Sequence, residues 1–321
     1  MTTARKEVYD SSESGWYHCI SRCVRRAFLC GNDPYTGKSF EHRKSWVRER
    51  LAELLNVFAI DCLAYAVMSS HLHTVLCNKP EEASKWSSKE VAQRWRTLFP
   101  KRRTLVGSPE VPNEVELLEI MDQPILVQEY RKRLCDLSWF QRCLNQEIAC
   151  RANAEDDCTG RFWEGRFKCT RLEDEAALLT CSIYVDLNPI RAGIAKTPES
   201  SEWTSIHDRI LKSQGKLPIT SAPRLVAHSD LLSSEISEAR YIELVEETGR
   251  ILVHGKGSIP QYLLPILKRL GIKPEGLILN SRSQSKLFHL VVGRYESLRN
   301  FARKSKKLWV HGLSSAKAVF A

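Results

Sequence analysis

The chain has no run of roughly 18 apolar residues, so no membrane-spanning helix is expected. It has no GxxxxGK(S/T) phosphate loop, no internal repeat and no low-complexity tract. Its eleven cysteines never form a CxxC pair: Cys19 and Cys23 stand closest, and Cys143, Cys150 and Cys158 are spaced by seven and eight residues. Neither pattern suits zinc, and a chain of 321 residues does not need disulfide staples. The opening stretch, MTTARKEVYDSSESG, lacks the apolar core of a secretion signal. Reduced thiols and a cytoplasmic location are the economical expectation.

What is present points to a packed, basic protein. A hydrophobic fraction of 43% and eight tryptophans argue for globular structure rather than disorder. The 48 Lys and Arg against 38 Asp and Glu leave a net charge of +10, which favours an anionic partner, nucleic acid being the commonest. Charge alone does not separate that partner from mere solubility.

Periodicity divides the chain. Residues 16–24 alternate as a strand, and 42–58 set Trp46, Leu51, Leu54, Leu55 and Phe58 at helical spacing. Residues 59–77 read as two apolar strands broken at Met68–Ser70, a hairpin. A helix with Trp86 and Trp95 is expected over 84–99, then a polar, proline-containing link over 100–113. Helical character returns from 114 to 153, with Leu134, Leu137, Phe140, Leu144 and Ile148 as its buried stripe. A short strand is expected within 161–171 and a helix over 173–187, ended by Asn188-Pro189 because proline disfavours a helical residue before it. A boundary is expected near 212–222; beyond it, 230–250, 259–270 and 284–305 are the best helix candidates.

His71-Leu72-His73 is the sharpest local feature. On a strand, side chains two apart share a face, so two imidazoles converge from a rigid platform and suit a divalent metal. Two histidines opening a strand with no special role fit the same pattern, so the pair needs partners. Tyr184 and Asn188 share one face of the later helix. The amide oxygen of Asn188 suits a metal, and the phenol of Tyr184 can attack phosphorus and form a covalent intermediate. Taken singly, a tyrosine there fits a core position and an asparagine there fits a helix end.

These residues sit in segments that resemble the single-tyrosine HUH transposases, named for histidine-hydrophobic-histidine, and in particular the REP-associated tyrosine transposases of bacteria, relatives of the insertion-sequence-200-like enzymes. The segments are YHCISRCVRRAFLCG (17–31), DCLAYAVMSSHLHTVL (61–76), GRFWEGRFKCTRLEDEAALLTCSIYVDLNPIRAGIA (160–195) and WTSIHDRI (203–210), in the family's order. The resemblance implies an α+β fold: a ferredoxin-like antiparallel sheet with packed helices, the HUH nuclease core. It implies a catalytic domain over 14–213 with a helical insertion at about 78–160. Residues 214–321, mainly helical, have no counterpart and no assigned role. Residue by residue, it implies Tyr184 as the nucleophile that leaves a 5′-phosphotyrosine link, His71 and His73 as metal ligands, and Asn188 as a third, amide ligand. Mg²⁺ or Mn²⁺ is the implied cofactor, single-stranded or hairpin DNA the implied partner, and a monomer or homodimer the implied state.

The DNA surface is expected among Arg22, Arg25 and Arg26 after the first strand and among Arg161, Arg166, Lys168 and Arg171. The second set is interleaved with Phe162, Trp163 and Phe167, which suit either base stacking or the core. Lys101, Arg102 and Arg103 form another basic cluster, and FARKSKKLW (301–309) suits a further contact or a solvated face. Asp61 and His18 are candidates to support the metal ligands from behind. Three rivals remain: a plasmid-nicking enzyme with the same chemistry, a domesticated DNA-binding or repressor protein that does not cut, and a histidine-triad hydrolase. The last wants a further histidine where Val75 stands.

Overall fold

A computed structural model describes residues 8–24, 30–32, 37–105, 108–214, 216, 222–231, 236–252, 291–305 and 309–319. Strand β1 (Gly15–Arg22) leads to helix α1 (Arg43–Val57), then β2 (Ile60–Val67) and β3 (His71–Asn78). Five helices follow: α2 (Pro80–Lys85), α3 (Ser88–Leu98), α4 (Glu114–Met121), α5 (Pro124–Arg133) and α6 (Leu137–Glu155). Strand β4 (Lys168–Leu172) precedes α7 (Glu175–Asp186), α8 (Asn188–Arg191) and α9 (Ser205–Ser213). The C-terminal region contributes α10 (Glu238–Leu252), β5 (Val291–Val292), α11 (Tyr295–Lys304) and α12 (Leu313–Val319). Among the described residues no helix is long and apolar enough to cross a membrane.

The sheet order is β2-β3-β1-β4-β5. Here β3 lies between β1 and β2, and β1 lies between β3 and β4, an interleaving compatible with the ferredoxin-like expectation. The class is α+β, but the sheet is mixed rather than antiparallel. The first four strands pair antiparallel, whereas β5 pairs parallel to β4. A parallel neighbour needs a long crossover, and the chain supplies it through α7 to α10 before returning to the sheet edge.

Alternation along the strands gives the sheet two apolar faces. Tyr17, Cys19, Tyr65, Val67, Leu72 and Leu76 face one core with α1 and α6, where Val47, Leu51, Leu54 and Leu55 meet Phe140, Leu144 and Ile148. Ala64, Ala66, Val75 and Leu172 face a second core with α7, to which Tyr241, Leu244 and Val245 of α10 and Val291 and Val292 of β5 also belong. The C-terminal region therefore shares the core of the tyrosine-bearing helix.

Local chemistry explains the element ends. Asn113 and Glu116 form a reciprocal capping box at the start of α4, and Asp136 caps α6 by accepting from the Trp139 N–H. The expected 84–99 helix is two helices, because Trp86 is extended and Ser87 caps α3 through the Glu90 N–H. Pro189 does not stop the chain's coiling as expected. It occupies the first turn of α8, where its missing N–H costs nothing. The candidate helix over 259–270 and the start of that over 284–305 lie outside the described residues, as do Arg25 and Arg26.

Phe140 is fully buried and meets Phe58 edge-on at 5.3 Å between ring centroids, tying α6 to the end of α1. Phe140→Ala is expected to cost about 3–5 kcal/mol. Urea unfolding should show that loss in a single transition; two transitions would mean that the helical segment melts independently.

Candidate functional site

The register of β1 against β3 places Ile20 opposite His73 and Arg22 opposite His71. His18, two residues back on the same face, becomes the diagonal neighbour of His73, within reach of a long side chain. Its Nε2 lies 2.9 Å from His73 Nδ1 and the two rings stack with centroids 5.1 Å apart. His71 and His73 approach with ring centroids 4.8 Å apart, and Ser70 Oγ lies 3.0 Å from His71 Nδ1.

Helix α7 lays Tyr184 over this cluster. Its ring centroid is 5.7 Å from that of His73 and 5.8 Å from that of His18, both nearly edge-on. Asn188, one turn on, brings Nδ2 to 3.4 Å from His73 Nε2 and to the same distance from the Tyr184 carbonyl oxygen. Arg191 completes the helical face, its guanidinium carbon 5.0 Å from the centre of the Tyr184 ring. The structure thus brings together Tyr184, His71, His73 and Asn188, sets His18 behind His73 as expected, and adds Arg191.

Electrostatics keep the imidazoles neutral. Burial, helped by neighbouring His71, pushes His18 down to about 4. Burial and then Arg22 push His71 down to about 4. Burial chiefly, then His18, His71, Arg22 and Arg191, holds His73 well below its ordinary value. Neutral rings keep lone pairs for a metal at physiological pH. With the His73 proton on Nδ1 donated to His18 Nε2, the Nε2 lone pair of His73 faces the Asn188 side chain. A ring fixed from behind in this way is how histidine ligands are oriented. Two imidazoles and a side-chain amide would suit a divalent ion only with the Asn188 oxygen, rather than the Nδ2 that now faces His73 Nε2, turned toward it. Among the described residues no group of three or more His, Cys, Asp or Glu could hold a metal ion.

The basic residues divide. Arg22 is exposed beside His71, and Lys168, paired with Ile20, is exposed on the same face. Arg161 and Arg166 are exposed in the segment before β4, Arg161 donating to the Glu164 carbonyl at 3.5 Å. Arg171 pairs with Tyr17 on the other face, where it meets Glu173 at 2.7 Å and donates to the Tyr17 hydroxyl at 3.1 Å. Phe162, Trp163 and Phe167 are buried in the α1–α6 core, so the aromatic interleaving serves packing. Lys101 and Arg102 form ion pairs with Glu119 and with Glu110 and Glu116. Asp61 pairs with Cys77 at the far end of the hairpin and holds Lys79 at 3.2 Å, away from the histidines. Arg191 had a sequence signal, since Tyr184, Asn188 and Arg191 recur at i, i+4 and i+7. His18 stands behind His73, the place expected for it, and the strand register supplies the contact.

No family model matches the chain, and no curated protein matches it in sequence. A solved structure of a REP-associated tyrosine transposase bound to a REP hairpin is similar over 71% of this chain and 100% of that one, with 12% identity and a TM-score of 0.39. A likeness of that size does not assign a fold or an activity.

Burial of neutral imidazoles has a consequence for stability. His18, His71 and His228 sit near 4 in the folded protein against an ordinary 6.5. The unfolded chain therefore takes up protons first, and stability present above pH 6.5 is lost as pH falls toward 4. Buried Asp186 opposes this, because desolvation raises it to about 6 from an ordinary 3.8, and its contribution is lost as pH rises through that window. The histidines outnumber it. The urea midpoint is expected to fall steadily from pH 6.5 to pH 4; a midpoint that rises over that range would show that Asp186 dominates.

Proposed function

We propose that the protein is a transposase of the single-tyrosine HUH type, which cuts and rejoins single-stranded DNA through Tyr184. The observation that carries the reading is convergence: His73 and Asn188, 115 positions apart in sequence, meet at 3.4 Å with the Tyr184 ring beside His73. A core tyrosine would have no need of neutral histidines and an amide around it. The resemblance of the segments around His71, His73, Tyr184 and Asn188 to that family points the same way.

In this reading the phenol oxygen of Tyr184 attacks the scissile phosphorus in line. A phosphorus–oxygen bond to tyrosine forms as the bond to the 3′-oxygen breaks. The phenolic proton passes to solvent, and the departing 3′-oxygen takes up a proton to become a free hydroxyl. The 5′-phosphotyrosine conserves the bond energy, so rejoining needs no nucleotide. His71, His73 and Asn188 would hold Mg²⁺ or Mn²⁺, whose chemistry there is to neutralise charge on the phosphate. His18 holds the His73 ring in place, and Arg191 offers its guanidinium to the phosphate from the tyrosine side.

Residues 14–213 form the catalytic domain in this proposal, with the helices over 78–160 as an insertion. Arg22, Lys168, Arg161 and Arg166 are the DNA-facing cations, in place of Arg171. The partner is a single strand or a hairpin with a single-stranded flank. A monomer and a homodimer both fit this reading.

The test uses labelled DNA hairpins with single-stranded flanks, with Mg²⁺, with Mn²⁺ and with EDTA. A covalent protein–DNA adduct is expected with either metal, absent in EDTA and absent in Tyr184→Phe. His73→Ala should lower adduct formation at least about 100-fold, a loss typical of an electrostatic stabiliser. Tight hairpin binding with no adduct under any metal would put the non-cutting DNA-binding reading first. Neither binding nor adduct would overturn both.

A further inference from the structure

Helix α7 is held at both ends by contacts that include residues far beyond the segments that resemble a transposase. At its start, Asp174 caps the helix by accepting from the Ala177 N–H at 2.9 Å with one oxygen. The other oxygen accepts from the Arg294 N–H at 2.7 Å, the residue that opens α11. The neighbouring Glu173 N–H donates to the Val292 carbonyl at 3.1 Å. Gly293 lies so close that an added Cβ would stand 3.2 Å from Asp174 Oδ2 and 3.3 Å from Glu173 Cβ.

At the other end Asp186 is fully buried, two residues past Tyr184. One of its oxygens accepts from Ser205 Oγ and from the Ile206 N–H at 2.9 Å, at the start of α9. The other accepts from the Tyr241 hydroxyl of α10 at 2.6 Å. Tyr241 is itself fully buried and stacks on His228 with centroids 3.6 Å apart. Nearby on the same helix, a Cβ on Gly249 would stand 3.1 Å from the Leu187 side chain.

The geometry points to the C-terminal region as a clamp on the tyrosine helix, with Tyr241 a positioning residue for Tyr184 and Asn188. A buried carboxylate with three donors is anchored more stiffly than apolar packing alone would anchor it, because any shift of the helix leaves a buried oxygen without its donor. Tyr184 and Asn188 flank that anchor. The clamp thus sets how the nucleophile and the amide stand over the histidines, where misplacement by about 1 Å is costly to reaction. The catalytic part of this inference rests on the proposed role of Tyr184; the mechanical part does not.

The experiment uses the full chain, Tyr241→Phe, which keeps the ring on His228 and removes only the hydroxyl, and Gly293→Ala at the opposite end. Amide hydrogen exchange is measured without DNA, and adduct formation is measured with a saturating labelled hairpin alongside hairpin affinity. Tyr241→Phe should speed exchange of amides 183–188 about fivefold, the size of one lost hydrogen bond, and leave β1 and β3 unchanged. Gly293→Ala should do the same at amides 175–179. Adduct formation should slow by a similar factor in Tyr241→Phe with hairpin affinity unchanged. Exchange that does not change, or that rises equally in β1 and β3, overturns the clamp. Local loosening with an unaltered adduct rate overturns the positioning role. A wild-type protein that forms no adduct defeats the Tyr184 reading, and the exchange result then still decides the clamp.

Discussion

The pairing of β1 with β3 on one side and β4 on the other sets everything that follows. Ile20 opposite His73 and Lys168 opposite Ile20 put His18, His73, His71, Arg22 and Lys168 on one face of the sheet. Because strand side chains alternate, a slip of one residue would turn the histidines into the α1–α6 core and carry Tyr17 and Cys19 out of it. Two large apolar cores, one on each face, make that slip expensive. The register is therefore held by packing on both sides, and the histidine cluster inherits its precision from that packing.

Helix α7 obeys a related constraint. Its residues from Ala176 to Asp186 are buried except for Tyr184, so it is apolar nearly all round. A helix of that kind needs cover on every side. The sheet covers one side through Ala64, Ala66 and Val75; α10, β5 and α11 cover others through Leu244, Val245, Val292 and Leu298. The two carboxylates that bracket the helix, Asp174 and Asp186, are answered by donors from the same covering segments. Tyr184 is the partial gap in this cover, and the gap opens on the histidines.

The fate of the basic residues follows from strand parity and from local partners rather than from charge. Arg22 and Lys168 stand on the histidine face, whereas Arg171 stands on the other and is taken by Glu173 and Tyr17. Lys101 and Arg102 are balanced by the glutamates of α4 and the link before it. A net charge of +10 thus marks an anionic partner less sharply than the few cations left facing the site.

The sequence by itself determined the local elements and the identity of the chemical groups. The apolar stripes of α1 and α6, the β2–β3 hairpin broken at Met68–Ser70, and the pairing of His71 with His73 and of Tyr184 with Asn188 all follow from periods of two and 3.6. Those periods are properties of neighbouring residues, which is why they can be read without a fold. Tertiary structure decided which groups meet across distance. His18 joined the site through strand register, Arg171 left its face through strand parity, and β5 made the sheet mixed by returning from the C-terminal region. The burial of α7 nearly all round requires that something cover it. Only the packed chain determined that the cover would be α10 and β5, because the partner of a buried face is chosen by shape and hydrogen-bond complementarity between segments that no local pattern connects.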